Sequence, residues 1–233
     1  MRPDLINCCV VTLLSGRWSL LDRTLGLLEQ VSDKIPVIFV NGSHDALPDE
    51  VFEKIKKINS LMLHGGGTPY PGVASYKNHN VGFLYNKSKM FCENLDKDFV
   101  ITLEDDCFPV GDFEKNSKQL LSRMDRTTIS CGSLYEHRQR DYCWCAWSWN
   151  FDFLNPEMIR KSSKPPTYAG HGFGFSVMNA NYLRLNSFVE SGAHVDVEFS
   201  RSAWKSGLKQ AIEPVRVEHV FLQQELTNKP RKA

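Results

Sequence analysis

The sequence predicts an α/β fold in which a mostly parallel central sheet is flanked by helices and is followed by a less regular second half. Three observations support this prediction. Asn7 to Leu14 is a continuous apolar run, as expected of a strand that is buried on both faces. Apolar residues then recur with helical spacing from Leu20 to Val31. Beyond this helix, strand and helix patterns alternate as far as Leu103, which is typical of parallel strands joined by helical crossovers.

The other elements of the first half follow in order from local signals. Ile35 to Val40 is rich in β-branched residues and stops at the turn-forming pair Asn41-Gly42. Pro48 suits the first turn of a helix, because the N–H that it lacks would have no partner there. The predicted elements are a strand over Ile35 to Val40, a helix over Asp49 to Ile58, a short strand over Leu61 to Leu63, a helix from about Ala74 to Leu95, and a strand over Phe99 to Leu103.

The second half has weaker patterns, and it contains a segment dense in aromatic residues, Cys143 to Phe153. Its predicted elements are a helix over Gly111 to Met124, a strand over Thr127 to Gly132, a polar loop over Lys161 to His171, a strand over Phe173 to Met178, helices over Asn181 to Val189 and Asp196 to Ser206, and a closing strand over Ala211 to Val217. The sequence contains no repeat, low-complexity tract or clear linker, so we expect residues 1–233 to form a single domain.

Composition and charge exclude several classes of protein. The net charge is +1 and the charged fraction is 24%, so the chain carries no strong signal for nucleic acid or for an anionic membrane. The longest apolar run near the start, Cys8 to Leu14, is too short to span a bilayer. The seven cysteines include no CxxC pair, which favours reduced thiols over disulfides or a zinc knuckle. We therefore expect a cytoplasmic protein.

The fourth predicted strand ends in three consecutive carboxylates, Glu104, Asp105 and Asp106. Ligands of open α/β sheets bind in the crevice beyond the carboxyl ends of the strands. Carboxylates crowded at that edge repel one another unless a cation lies between them and an anionic ligand. The triplet therefore predicts a divalent metal that holds a phosphate group, although a solvated acidic turn would have the same sequence.

Polar residues at the other strand ends and at the start of the following helix have the chemistry to bind the parts of a nucleotide diphosphate. Amide and hydroxyl groups can hydrogen-bond a base or ribose, and a cation beside a helix N-terminus can face a diphosphate. The candidate donor-binding residues are Thr12 and Ser15 at the end of the first strand, Asn41, Ser43 and Asp45 after the second strand, and Lys77 and Asn78 near the start of the helix that precedes the fourth strand.

Several segments match, in order, the motifs of one enzyme family. Val40 to Asp45 resembles a V-D-G-S-x-D turn, Glu104 to Asp106 resembles a DxD metal motif, and Val195 to Lys209 resembles an E-D-x-x-hydrophobic segment followed by Gly-hydrophobic-Lys/Arg. Together these segments resemble the GT-A glycosyltransferases, in particular the inverting nucleotide-sugar transferases of family 2. The resemblance implies a GT-A, Rossmann-like fold with a nucleotide-sugar half over about 1–110, an acceptor-binding half over about 111–220, and a tail over 221–233.

The resemblance also implies roles for individual residues. Asp106 and His219 would bind Mn²⁺ or Mg²⁺, while Glu104 and Asp105 would join the donor-binding residues. Asp196 would be the catalytic base, with Glu198 as the alternate. The expected acceptor-binding residues are His171, Gly172 and Trp147. The implied reaction transfers a sugar from a nucleotide diphosphosugar to an acceptor hydroxyl, and the acceptor could be a glycan, a lipid, a small molecule or a nucleobase.

The chain departs from the family pattern at three positions. Asn41 and Glu104 stand where the family has aspartate, and Val195 replaces the acid that precedes the base. Two alternatives remain open from the sequence. A nucleotidyltransferase that makes nucleotide sugars would also place acids at a strand end, and Leu13 to Arg17 loosely resembles the loop of such enzymes. A non-catalytic protein that binds a nucleotide sugar or carbohydrate is the other alternative.

Overall fold

The computed structural model describes most of the chain as one α/β unit. The described residues are 3–14, 17–42, 47–58, 60–64, 82, 85–86, 88–89, 92, 94–136, 142–150, 156–160, 169–188 and 195–220. The strands are β1 Cys8–Leu14, β2 Val37–Asn41, β3 Ser60–His64, β4 Phe99–Glu104, β5 Cys107–Pro109, β6 Thr128–Glu136, β7 Tyr142–Trp149, β8 Pro156–Arg160, β9 Ala169–His171, β10 Phe175–Asn179 and β11 Lys209–His219. The α-helices with described bounds are α1 Leu21–Leu28, α2 Asp49–Ile55, α3 Phe113–Leu121, α4 Ala180–Leu185 and α5 Val195–Lys205.

The main sheet has the strand order β3-β2-β1-β4-β10-β6-β11-β5. The strands β3, β2, β1 and β4 are mutually parallel, as the alternation of strands and helices predicts. The predicted α/β fold is confirmed, and β6 and β11 add a further parallel pair. The sheet is mixed beyond β4, because β10 runs antiparallel to both of its neighbours and β5 runs antiparallel to β11. Buried strands carry the same apolar pattern in either direction, so the pattern alone does not specify this reversal.

A smaller antiparallel sheet is built around β7, which pairs with β8 and β9 and also joins β6 of the main sheet. The prediction of a loop over Lys161 to His171 is wrong for its last three residues, because Ala169–His171 forms β9. The strands β5 and β8 were also absent from the predicted elements. All three are short, and strands of three to five residues contain too few positions to show a periodic pattern.

The two faces of the main sheet carry separate apolar layers, because successive residues of a strand point to opposite faces. Cys8, Val10 and Leu14 of β1 pack with α1, α2 and α3. Cys9, Val11 and Leu13 of the same strand pack with α4, α5 and helical residues between 82 and 94. The sheet is therefore covered on both faces, and its open boundary is the edge where the strands end.

Most of the predicted helices are shorter than predicted, and the helix predicted over Asp196 to Ser206 has the predicted length but begins and ends one residue earlier. The helix predicted over Gly111 to Met124 is α3, and it begins after Asp112, whose side chain accepts a hydrogen bond from the Lys115 N–H at 2.7 Å. The start of the helix predicted from about Ala74 lies outside the described residues, while its described residues from 82 to 94 are helical. Among the described helices, none has the length and apolar character needed to cross a membrane.

Candidate functional site

Three acidic side chains meet at the carboxyl edge of the parallel strands. Glu104 is the last residue of β4, and Asp105 and Asp106 form the turn that leads into β5. Asp105 and Asp106 are only 3% and 4% exposed, which is unusual for carboxylates. The sequence prediction that the triplet lies directly after a buried strand is therefore confirmed.

The short strand β5 brings His219 to this edge from the far end of the chain. Cys107 of β5 is the register partner of His219 in β11, and Val220 N donates a hydrogen bond to the Asp106 carbonyl oxygen at 2.9 Å. The pairing places His219 Nε2 3.2 Å from Asp106 Oδ2, across 113 residues of sequence. Asp106 and His219, the two predicted metal ligands, are thus in direct contact.

Arg17 is a further member of the site that the sequence analysis did not assign to it. Its Nη1 lies 2.6 Å from Asp105 Oδ1, and its Nη2 lies 3.0 Å from Asp106 Oδ2. One guanidinium therefore bridges two buried carboxylates. The signal in the sequence is the position of Arg17 just after the first predicted strand, in the segment that resembles the loop of nucleotidyltransferases.

The pKa values of Glu104 and Asp106 are shifted in opposite directions. Burial and the negative charges of Asp106, Asp196 and Asp105 together raise the pKa of Glu104 to about 8, against the opposing effect of Arg17. Burial also opposes ionisation of Asp106, but its hydrogen bond with His219 and the Arg17 guanidinium hold the pKa of Asp106 below its ordinary value. Asp106 is therefore ionised at neutral pH, and its carboxylate would attract a cation at this edge.

The residues present fit a divalent metal. The ligand atoms of Asp106, Cys107 and His219 all lie within 4.8 Å of one another. A carboxylate oxygen suits Mn²⁺ or Mg²⁺ and an imidazole nitrogen tilts the preference toward Mn²⁺, whereas the Cys107 thiol is a softer donor. That thiol donates a hydrogen bond to Asp106 Oδ1 at 3.4 Å. A metal bound by Asp106 Oδ2 and His219 Nε2 would replace the contact between these two atoms, and it would share Asp106 Oδ2 with Arg17 Nη2 unless the guanidinium moved away.

The far side of the site is closed by Gly174, just before β10. A methyl group at this position would come within 3 Å of both Cys107 Sγ and the Tyr135 hydroxyl. Tyr135 Oη in turn accepts a hydrogen bond from Phe175 N at 2.6 Å, and Gly174 O accepts one from Glu104 N at 2.9 Å. Glycine therefore allows β10 to approach the acidic edge closely.

Asp196, the predicted catalytic base, lies in the first turn of α5. Its charge contributes to the raised pKa values of Glu104 and of Tyr85, which places it within electrostatic range of the acidic edge. Its Oδ1 accepts a hydrogen bond from Val197 N at 2.9 Å. The alternate, Glu198, forms an ion pair with Arg201 on the same helix.

Of the predicted donor-binding residues, four lie in the described residues. Glu104 and Asp105 belong to the acidic edge described above, and Asn41 ends β2 as a fully buried residue. Thr12 is also fully buried inside β1, and its hydroxyl has no hydrogen-bond partner among the described residues. The others, Ser15, Ser43, Asp45, Lys77 and Asn78, lie outside the described residues.

The predicted acceptor-binding residues His171, Gly172 and Trp147 are buried. His171 Nε2 lies 2.9 Å from Ser130 Oγ, and burial lowers the pKa of His171 to about 4. Trp147 packs in a cluster with Trp149 and Trp204. These residues contribute to the core of the second half, and contact with an acceptor stays a prediction that would require their exposure.

Comparisons with known proteins extend the description of the fold. No protein-family model matches the chain, and no curated protein matches its sequence. Glucosyl-3-phosphoglycerate synthase from Mycobacterium tuberculosis in complex with phosphoglyceric acid is similar in structure, with a TM-score of 0.60, 9% identity, and coverage of 94% of this chain and 74% of that chain. The same enzyme in complex with Mn²⁺, UDP and glucosyl-3-phosphoglycerate has a TM-score of 0.59 at 8% identity, with the same coverage.

A second kind of enzyme is also similar in structure. A putative glucose-1-phosphate thymidylyltransferase from Bacillus anthracis, in complex with a sucrose, has a TM-score of 0.56 and 11% identity, and the match covers 94% of this chain and 92% of that chain. At such identities the likeness shows the fold. The chain accordingly has the mixed α/β architecture of GT-A-like enzymes, with a large central sheet flanked by helices and a smaller antiparallel sheet.

Proposed function

We propose that the chain is a metal-dependent glycosyltransferase that moves a sugar from a nucleotide diphosphosugar to an acceptor hydroxyl with inversion. The observation that carries this proposal is the contact between Asp106 Oδ2 and His219 Nε2 at the carboxyl edge of the sheet. A carboxylate and an imidazole that converge beside further acids form a ligand set for a divalent cation. This edge is also where open α/β sheets bind their ligands.

In this proposal Asp106 and His219 would hold Mn²⁺ or Mg²⁺, which supplies Lewis-acid stabilisation to the departing diphosphate. Arg17 adds a second positive charge at the same edge. Asp196 accepts the proton of the attacking acceptor hydroxyl, a role typically worth about 10²–10⁴-fold in rate. It suits this role better than Glu198, because the Glu198 carboxylate is already ion-paired with Arg201. Direct attack on the anomeric carbon would invert its configuration.

The similar structures support a nucleotide-sugar donor, because the fold is shared with a synthase whose complexes contain Mn²⁺ and UDP. They leave the acceptor open among glycans, lipids, small molecules and nucleobases. We also propose a cytoplasmic location. The described cysteines Cys8, Cys9, Cys92, Cys107 and Cys131 are buried thiols without a disulfide, which fits a reducing compartment.

The first test is ligand binding by thermal shift and calorimetry, with UDP, GDP, CDP, dTDP and ADP, each with and without Mn²⁺. A ligand that binds only the folded state stabilises it by about 2.7 kcal/mol at one hundred times its dissociation constant. We expect one diphosphate to stabilise the wild type in a Mn²⁺-dependent manner and Asp106→Asn to abolish that dependence. Asp22→Asn removes a carboxylate that is 76% exposed, so it is the matched control. Full Mn²⁺ dependence in Asp106→Asn would contradict the metal assignment.

The second test asks whether Asp196 or Glu198 is the catalytic base. Asp196→Asn should bind the donor diphosphate with wild-type affinity and lose transfer, measured as release of the nucleoside diphosphate from the nucleotide sugar in the presence of an acceptor pool. Glu198→Gln should retain transfer, since its carboxylate is paired within α5. The opposite result would move the base to Glu198.

A sugar nucleotidyltransferase is the second candidate, and two observations favour it. Arg17 follows β1 and contacts the acidic edge, and the thymidylyltransferase match covers nearly the whole of both chains. The two functions differ in substrate: a nucleotidyltransferase releases pyrophosphate from a nucleoside triphosphate and a sugar 1-phosphate. Pyrophosphate release from those substrates, with no turnover of nucleotide sugars, would select this candidate.

A further inference from the structure

Arg17 and a divalent cation compete for the same atom in this site. Asp106 Oδ2 is contacted both by Arg17 Nη2, at 3.0 Å, and by His219 Nε2, at 3.2 Å. Ligands of Mg²⁺ lie at about 2.0–2.1 Å from the ion. A cation held by this oxygen and this nitrogen would therefore lie about 2 Å from the oxygen to which the guanidinium now donates, so two positive groups would share one carboxylate oxygen.

Displacing Arg17 from the carboxylates is unfavourable unless another anion receives it. The guanidinium is only 15% exposed and bridges two side chains that are 4% and 6% exposed, so its ion pairs are weakly screened by solvent. Arg17 stands three residues beyond the carboxyl end of β1, at the edge where a donor would bind. Its planar guanidinium can donate two hydrogen bonds to phosphate oxygens as well as it donates them to carboxylate oxygens.

We propose that Arg17 occupies the cation position of the unliganded site, and that the diphosphate of the donor draws it away so that metal and diphosphate bind cooperatively. This inference rests on the proposed function and deepens it, because it assigns the order of events at the same site. Arg17 is then a positioning residue that keeps the acids neutralised without metal and binds phosphate when metal is present. Because coupling is reciprocal, the diphosphate raises the affinity for metal by the same factor as the metal raises the affinity for the diphosphate.

A purely structural role for Arg17 makes a different prediction. If Arg17 served only to neutralise buried Asp105 and Asp106 by its charge, Arg17→Lys would bind metal as the wild type does. Occupation of the cation position by the guanidinium instead predicts that Arg17→Lys, like Arg17→Gln, binds metal alone more tightly than the wild type. The metal affinity of Arg17→Lys therefore separates the two roles.

The experiment measures two affinities separately. Binding of Mn²⁺ alone is followed by electron paramagnetic resonance of the free ion, and binding of inorganic pyrophosphate alone is followed by calorimetry in EDTA. Arg17→Gln should bind Mn²⁺ about tenfold more tightly than the wild type, and pyrophosphate several-fold more weakly, within the usual range of coupling between two sites. Arg17→Lys keeps the charge and loses the planar guanidinium, so both of its affinities should lie in between. Arg23→Gln is the matched control, since Arg23 pairs with exposed Glu218 beside the same edge, and neither affinity should change.

Weaker or unchanged Mn²⁺ binding by folded Arg17→Gln would overturn the inference and leave the proposed metal site standing. If neither the wild type nor Arg17→Gln bound Mn²⁺, both the inference about Arg17 and the proposed metal site would be overturned. Nitrogen NMR of the arginine side chains in the wild type covers the case in which Arg17→Gln does not fold. The Arg17 guanidinium signals should move from the shifts of a carboxylate-bound group to those of a phosphate-bound group when Mg²⁺ and pyrophosphate are both saturating, and unchanged signals would overturn the inference.

Discussion

Gly174 sets the distance between β10 and the acidic edge, because the space for a side chain at this position is already taken by Cys107 and Tyr135. Both neighbours are buried, and Tyr135 Oη is held by Phe175 N, so neither can move aside easily. We expect Gly174→Ala to lower the free energy of unfolding by about 1–3 kcal/mol, the usual cost of overpacking a core. It should also weaken Mn²⁺ binding, since Cys107 borders Asp106.

Urea denaturation measures the free energy of unfolding of Gly174→Ala, and Mn²⁺ titration measures its metal affinity. Gly26→Ala is the control, because Gly26 is an exposed residue of α1 and a methyl group there meets no atom within 4 Å. Alanine is the better helix former, so this variant should be as stable as the wild type or more stable by up to about 1 kcal/mol. Equal stability of Gly174→Ala and Gly26→Ala would show that β10 can move away from the edge.

At the residue scale the sequence identified some members of the candidate site and missed others for a physical reason. Asp106 and His219 were found through the order of their motifs, and the structure brings them together. Arg17 was missed, because its role depends on the path of the chain after β1. Tyr135 was missed because it reaches the site only through pairing between distant strands, whereas Cys107 was missed although it directly follows Asp106. Local periodicity reports which face of an element is buried, and it says nothing of such long-range contacts.

At the scale of elements, β5 is the smallest strand that matters to the site. It has three residues, yet its pairing with β11 is what brings His219 to Asp106. The four parallel strands were predictable because apolar runs alternate with helical patterns along the chain as far as β4. The reversed β10 was not, since a strand that is buried on both faces has no polar side to reveal its direction or its neighbours.

Helix α5 carries the predicted base, and its position is determined by contacts with the tryptophan cluster. Trp149 Nε1 donates a hydrogen bond to Ser200 Oγ at 2.6 Å, and Trp204 Nε1 donates one to the Ala169 carbonyl oxygen at 2.6 Å. Ser200→Ala removes the first acceptor from a buried indole N–H, which typically costs about 1–3 kcal/mol. Because the substitution shifts the helix that carries Asp196, we expect a loss of transfer activity larger than any loss of donor binding.

Denaturant titration and steady-state kinetics check this expectation. Ser206→Ala, which removes an exposed hydroxyl just beyond the end of α5, should change stability by less than about 0.5 kcal/mol. Wild-type stability of Ser200→Ala would mean that the indole N–H finds another acceptor, and the packing account of α5 would then be wrong.

At the scale of the whole molecule, buried His171 makes folding stability depend on pH. Burial lowers the pKa of His171 in the folded protein to about 4, against an ordinary value of 6.5, while the Gly172 carbonyl oxygen offsets a small part of this effect. Between these values the unfolded chain binds more protons than the folded one, so stability falls as the pH is lowered through this range. The shift corresponds to about 3 kcal/mol lost between pH 7 and pH 4.

Urea denaturation at pH 7, 5.5 and 4.5 measures this dependence, and His171→Gln supplies the comparison. The variant lacks the titrating group, so its stability should fall less steeply with acid than that of the wild type, even though its stability at pH 7 is lower. Parallel pH profiles for the two proteins would show that other groups govern the acid response.

The two halves of the chain share one sheet, which bears on how the molecule unfolds. The second-half strand β10 lies beside β4 of the first half, and β5 of the first half closes the sheet against β11. Neither half can lose its strands without exposing the buried edge of the other, so we expect one cooperative transition despite the length of 233 residues. Calorimetry should give equal calorimetric and van't Hoff enthalpies, with a total of about 0.7 kcal/mol per residue near 60 °C. Two resolved transitions, one of which shifts with Mn²⁺ and a nucleoside diphosphate, would instead divide the chain into two domains near residue 110.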